Sequence, residues 1–180
     1  QRQMCIRDRN TTELIELLSG MFRYNLQKEQ YLVPLKKEIE YIQSYLLLLK
    51  KRYGEGFAAI FELDHTLDEY PVPHIFLQPL IENCIVHGSC AGQEKLDIII
   101  RTLQTETEKL IIIKNTGHIL NREQVKELND MVQREFEVGK QERVKTLQNI
   151  NFRLKTACSG QCGLNFEFDE NYVVLKIRIG

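Results

Sequence analysis

The sequence lacks an excess of charge of either sign and has no long apolar run. Its 180 residues include 24 lysines and arginines against 25 aspartates and glutamates, a formal net charge of −1. Proteins that bind nucleic-acid backbones usually carry an excess of basic residues, so this balance argues against a nucleic-acid partner. No run approaches the roughly 20 apolar residues that cross a bilayer, so we expect no membrane-spanning helix in this sequence.

Cysteines are also few, odd in number and scattered along the chain, at Cys5, Cys84, Cys90, Cys158 and Cys162. This pattern predicts reduced thiols rather than a framework of disulfides. Cys158 and Cys162 are close enough in sequence to suggest a zinc site. A structural zinc site needs four ligands in paired clusters, and no second pair accompanies this one. We therefore interpret ACSGQCG as a Ser-Gly turn between small apolar residues.

Residues 1–9, QRQMCIRDR, show no amphipathic period and resemble translated read-through of a sequencing adaptor. We interpret them as a non-native leader and exclude them from the fold prediction. On this hypothesis the natural protein continues upstream, and the sequence is a C-terminal fragment.

Residues 10–53 are predicted to form a helical arm of two helices. The first runs from Thr11 to near Gln30, and the second follows Pro34. Apolar residues on the second helix alternate spacings of four and three, as in an a/d seam about three heptads long; they are Leu35, Ile39, Ile42, Leu46, Leu49 and Tyr53. Two alternatives stay open: the helices pack on their own domain, or they form a hairpin that pairs with another chain.

Residues 54–180 read as one α+β domain. Strands are predicted over 57–64, 95–103 and 109–115, with two more at the C-terminal end, and residues 68–73 as a polar turn. Helices are predicted over 74–88, 121–132 and 144–157, and the charged segment 133–143 as a mobile loop. Asn121 is the expected N-cap of the middle helix. The predicted architecture is one mostly antiparallel sheet with helices on a single face, behind the arm.

The segment PLIENCIVHG places polar side chains on an otherwise apolar helix. Asn83 and His87 are four residues apart and share one flank, while Glu82 points about 100° away. The amide oxygen of Asn83 suits a hard cation such as Mg²⁺, which usually bridges to phosphates. Glu82 suits a general base or a residue that orients water. The alternative is that both side chains cap neighbouring backbone and that His87 ends the helix.

Four segments resemble the C-terminal part of two-component sensor histidine kinases of the LytS/YesM-like type. LSGMFRYNL is similar to "LSxLLRYSL", and VPLKKEIEYIQSYLLLLKKRYGEGF to "VPLxEELEYIxNYLxIxxxRFGxxF". PHIFLQPLIENCIVHG is similar to "PPLILQPLVENAIKHG", and LQNINFRL to "LxNVRxRL". The resemblance extends from Thr11 to the C-terminal end.

This resemblance implies a GHKL-type two-layer ATPase fold that uses ATP and Mg²⁺ to phosphorylate a histidine. It assigns Asn83 as the magnesium ligand and Glu82 as the catalytic residue. The family's phosphate-accepting histidine lies in an "NPHFLFN" segment that this sequence does not contain, so we expect that histidine upstream. The other residues expected to bind the nucleotide are His87, Asn115, Gly117, Leu147 and Asn149.

The resemblance also implies partners and a location. We expect a homodimer formed through the helical arm and a response regulator as the second partner. The full-length protein is expected to be anchored in the inner membrane, with this part in the cytoplasm.

Several nucleotide-binding positions depart from the family pattern. Asn115 stands where the family has an adenine-binding aspartate, and Ile119 replaces a glycine. Val86 replaces a phosphate-contacting lysine, and both glycines that usually precede Leu147 are missing. Each lost contact would cost about 1–3 kcal/mol, so we expect weakened nucleotide binding. The alternative is a non-catalytic pseudokinase that acts in dimerisation and signal transmission.

Overall fold

A computed structural model describes residues 2–26, 31–89, 96–134, 142–158 and 160–180. The helices are α1 (Arg2–Leu26), α2 (Leu35–Tyr53), α3 (Leu77–Ser89), α4 (Arg122–Gln133) and α5 (Glu142–Ala157). The strands are β1 (Leu32–Pro34), β2 (Phe57–Glu62), β3 (Pro71–Pro73), β4 (Leu96–Gln104), β5 (Lys109–Asn115), β6 (Gly163–Glu167) and β7 (Val173–Arg178). Short 3₁₀ helices span Gly54–Gly56 and His65–Leu67.

The main sheet has five strands in the order β2-β4-β5-β7-β6. β2 pairs with β4 in parallel, and the other neighbours pair antiparallel. The predicted hairpin of β4 and β5 is present, with Ile100 opposite Ile113. β1 and β3 form a separate antiparallel pair. The prediction of a mixed, mostly antiparallel sheet in an α+β fold is confirmed.

One face of the sheet and the helices share a single apolar core. Alternate residues are buried from Leu96 to Thr102 of β4 and from Ile111 to Asn115 of β5, as expected for strands with one covered face. The core includes sheet residues and the inner faces of α3 and α5, among them Ile98, Ile111, Ile177, Leu80, Ile81, Leu147 and Leu154. Asn121 caps α4 through a capping box with Gln124, which confirms the predicted start of that helix.

Helix α2 belongs to the same core. Leu35, Ile39, Ile42 and Leu46 are buried in one cluster with residues of α3 and the sheet. Of the two alternatives for the arm, the structure therefore shows the first for α2: its apolar seam packs against the rest of the same chain. The division of the chain into an arm and a domain at residue 54 stays a prediction.

Some predicted boundaries are wrong. The first helix begins at Arg2 rather than Thr11, and its described part ends at Leu26. The expected turn over 68–73 contains β3, which pairs with β1, so the chain is extended there. The predicted loop 133–143 overlaps the end of α4 and the start of α5, and its residues 135–141 lie outside the described residues.

The prediction that Cys158 and Cys162 are reduced thiols is wrong: the structure joins them in a disulfide. After α5 the Gly160 N–H donates to the carbonyl of Lys155, and Gly160 takes a positive φ of 90°. This turn brings the two Cα atoms to 5.6 Å, a normal separation for a disulfide. The bond therefore links the end of α5 to the start of β6.

Gly163 at the start of β6 has no room for a side chain. A Cβ there would lie 2.8 Å from Oδ1 of Asn151, and that oxygen accepts a 2.9 Å hydrogen bond from the Leu164 N–H. We expect Gly163→Ala to lower the free energy of unfolding by about 1–3 kcal/mol, because the buried Asn151 must move. Chemical denaturation measures this. Gly56→Ala is the control, since nothing lies within 4 Å of its added Cβ. Equal stability of the two variants would contradict the prediction.

Candidate functional site

Helix α3 carries Glu82 and Asn83 beside its core residues. Leu77, Leu80 and Ile81 are buried, which leaves Glu82 and Asn83 half-buried at the edge of the core. Nδ2 of Asn83 is buried and has no hydrogen-bond partner in the described part of the chain. A buried N–H without a partner is costly, so Nδ2 of Asn83 is a donor whose hydrogen bond the described residues do not supply.

A relay of hydrogen bonds orients Glu82. The Tyr41 hydroxyl donates to Oε1 of Gln78 over 2.7 Å, and Nε2 of Gln78 donates to Oε1 of Glu82 over 2.7 Å. Burial raises the pKa of the Tyr41 hydroxyl. A hydrogen bond from Asn25 lowers this pKa, and the negative charge of Glu82 raises it. The phenol therefore stays a proton donor at neutral pH, and the carboxylate is fixed in one orientation.

The end of β5 and the turn that follows it hold Asn115 and Gly117, two of the residues expected to bind the nucleotide. Asn115 is the buried last residue of β5, and Gly117 is buried two residues later. The turn is attached to β4, because the Thr116 N–H donates to the carbonyl of Asp97 over 3.1 Å. Among the described non-glycine residues, positive φ occurs only at Ile75, so Ile119 avoids the left-handed conformation. The loop thus follows a path that a β-branched residue adopts without strain.

Helix α5 separates its two predicted site residues. Leu147 is buried in the core, whereas Asn149 is exposed. Asn149 lines a cavity of about 570 Å³ together with Phe152 and with Val132 of α4. His87 lies in α3, but its side chain is outside the described part of the structure.

Helix α3 contacts α5, which carries Leu147 and Asn149. It also contacts β4, and the next strand, β5, places Asn115 opposite Ile98 of β4. The described residues contain no group of three or more His, Cys, Asp or Glu side chains able to hold a metal ion. A magnesium ion bound beside Asn83 would therefore take most of its ligands from phosphate and water, as Mg²⁺ commonly does. The amide oxygen of Asn83 would supply one further ligand to the ion, and its unpartnered Nδ2 would donate to a phosphate oxygen.

Sequence reasoning missed the residues that hold α3 in place. Glu38 of α2 is fully buried and accepts hydrogen bonds from backbone N–H groups at the start of α3. An acidic residue in the first turn of a helix normally reads as a surface residue that complements the helix dipole. Gln78 did carry a signal in the sequence: it lies four residues before Glu82, the helical spacing at which two side chains come into contact.

Comparison with known proteins gives the family. A family model described as "Histidine kinase" matches residues 2–57, a range that includes the predicted leader. The sensor protein LytS of Staphylococcus saprophyticus is 30% identical over 159 residues, covering 87% of this chain and 26% of LytS. This chain is a homologue of the LytS-type sensor histidine kinases. It spans about a quarter of the length of the curated relatives it matches.

Solved structures agree on the fold. The catalytic domain of histidine kinase ThkA superimposes with a TM-score of 0.56 at 17% identity, covering 82% of this chain and 94% of that domain. ThkA in complex with the response regulator TrrA gives a TM-score of 0.52 at 18% identity, covering 94% of this chain and 48% of that one. The fold of this LytS homologue is therefore that of GHKL histidine kinase catalytic domains. Within the described ranges, no helix has the length and apolarity needed to cross a membrane.

Proposed function

We propose that this chain is the ATP-binding catalytic region of a sensor histidine kinase. It uses Mg-ATP to phosphorylate a histidine elsewhere in the protein, and it binds the nucleotide weakly. The observation that supports this most is the side chain of Asn83, whose buried Nδ2 lacks a partner beside the oriented carboxylate of Glu82. In this role the amide oxygen of Asn83 would coordinate the magnesium ion of Mg-ATP, and Glu82 would activate or orient the attacking group. Catalysis of this kind rests on positioning and charge stabilisation.

The proposed partners follow from the arm and from the relatives. Helix α1 exposes an apolar stripe at helical spacing, formed by Ile15, Leu18, Phe22 and Leu26. Such a stripe suits a homodimer built through α1. The ThkA–TrrA complex supports a response regulator as the second partner. The full-length protein would be anchored in the inner membrane, with this region on the cytoplasmic side.

Nucleotide titration tests the proposed function. Mg-ATP at millimolar concentration should raise the melting temperature, and the rise should grow with ligand concentration. A ligand at 100 times its Kd stabilises the folded state by about 2.7 kcal/mol. Mg²⁺ alone is the control for nonspecific ion effects. No shift at millimolar Mg-ATP would contradict the proposal.

The departures from the family motifs favour a second candidate function. In this alternative the chain is a pseudokinase that keeps the fold of the domain without its catalytic activity and acts in dimerisation and signal transmission through the arm. Asn115 lacks the charge of the usual aspartate, so its bond to an adenine amino group would be about half as strong. The absence of a thermal shift, together with an intact fold, is the result expected for this second function.

A further inference from the structure

Glu38 connects three helices through one carboxylate. Its Oε1 accepts from the Ile75 N–H over 2.6 Å, and its Oε2 accepts from the N–H groups of Phe76 and Leu77 over 3.1 and 3.3 Å. The Tyr24 hydroxyl of α1 also donates to Oε1. A fully buried carboxylate on α2 thus holds the N-terminus of α3 and the arm together.

This arrangement fixes how α3 begins. A negative charge at a helix N-terminus satisfies N–H groups that have no partner within the helix and interacts favourably with the helix dipole. Ile75, just before α3, has a φ of 53°, a conformation that a β-branched residue rarely adopts. Because charge-assisted hydrogen bonds are strong, the Glu38 carboxylate is able to hold this unfavourable turn.

Two further contacts converge on the same turn. The Tyr24 ring packs edge-on against the ring of His74, with centroids 4.5 Å apart. From the other side, Nη2 of Arg153 on α5 donates to the His74 carbonyl. The turn at residues 74–76 is therefore held by side chains from α1, α2 and α5.

Tyr24 is well placed to transmit a movement of the arm. A groove of about 530 Å³ lies between α1 and α2 and is lined by Tyr24 and Tyr41. Beyond this groove, an exposed ion pair joins Glu13 of α1 to Lys51 of α2, and such pairs contribute little. The hydrogen bond from Tyr24 to Glu38 is partly buried, so it resists displacement more strongly than the exposed pair.

We propose that Tyr24 and Glu38 are positioning residues that set the placement of α3, and with it Asn83 and Glu82, according to the position of α1. A helix moves as a stiff body, so a shift at its first residues carries to the polar side chains less than two turns further on. The effect on nucleotide rests on the proposed function, whereas the effect on α3 does not.

The test compares Tyr24→Phe with wild type, both as the whole chain. Tyr172→Phe is the matched control, because it also removes one hydroxyl but lies in the turn between β6 and β7. Amide hydrogen exchange at Phe76 and Leu77 and the side-chain amide resonances of Asn83 report on α3 without any nucleotide. We expect Tyr24→Phe to speed exchange at both amides about two- to tenfold, the factor for one ordinary hydrogen bond, and to shift the Asn83 resonances. Tyr172→Phe should leave both unchanged.

Calorimetry then measures the Kd of Mg-ATP in the same variants. If wild type binds, Tyr24→Phe should raise Kd about two- to tenfold. The proposal is overturned if Tyr24→Phe changes neither the amide exchange nor the Asn83 resonances. It is also overturned if Tyr24→Phe alters the exchange but leaves the Kd of Mg-ATP unchanged. If wild type shows no binding, the proposed function fails while the exchange data still decide the link from α1 to α3. Glu38→Gln, which removes the charge, should have a larger effect; if it does not fold, Tyr24→Phe alone decides.

Discussion

Asn83→Ala is expected to weaken Mg-ATP binding by about 10- to 100-fold, which corresponds to one lost interaction with a charged group. The same change should leave the nucleotide-free protein at least as stable as wild type. This follows because Nδ2 of Asn83 is buried without a partner, and its removal eliminates an unsatisfied donor. Calorimetric Kd values and melting temperatures without ligand measure the two effects. Loss of binding without loss of stability is the mark of a residue kept for function.

Asn165→Ala provides the matched control, since Asn165 is an exposed residue on the edge strand β6. It removes the same amide group and should leave the Kd within about twofold of wild type. A Kd for Asn83→Ala that equals that of Asn165→Ala would rule out a contact between Asn83 and the bound Mg-ATP. The Asn83 amide would then be a structural feature of α3.

Ile42→Ala should lower the free energy of unfolding by about 2–5 kcal/mol, the range for truncating a buried isoleucine. Ile42 lies at the centre of the α2 seam and has no exposed surface. Because this seam packs within its own chain, the loss should not depend on protein concentration, unlike a loss at a dimer interface. Urea denaturation at two protein concentrations a hundredfold apart checks both points.

Leu47→Ala on the same helix serves as the comparison. Leu47 is 45% exposed, so its truncation should change stability by no more than about 0.5 kcal/mol. A concentration-dependent effect at Ile42 would instead support the hairpin that pairs with another chain. The two variants therefore separate the alternatives that the heptad pattern alone left open.

The longer elements were predictable because their patterns are strong. The Ile-rich runs of β4 and β5 alternate buried and half-buried side chains, and the two strands flank a short polar turn. By contrast, β1 and β3 are three-residue strands that contain Pro34, Pro71 and Pro73. Proline cannot donate to a strand ladder, so such segments read as turns from sequence. Their pairing depends on contacts between distant parts of the chain.

The site was predictable only in part, for a related reason. Asn83 and Glu82 stand out because polar residues interrupt an apolar helix, and the family resemblance gave them roles. Glu38 gives no such signal, because its burial results from the meeting of α1, α2 and α3. The disulfide of Cys158 and Cys162 depends likewise on the turn at Gly160. Local pattern identifies which residues are unusual, and tertiary structure decides what they contact.

The parallel pairing of β2 with β4 affects the order of events during synthesis. A parallel pair needs a crossover, and here the crossover contains α3. Until the ribosome has released β4, the apolar residues Leu77, Leu80 and Ile81 have no sheet to cover them. Closing this long connection carries an entropic cost that slows folding. The nascent chain therefore exposes the apolar face of α3 until β4 has been synthesised, and we expect chaperones to bind the chain at that stage.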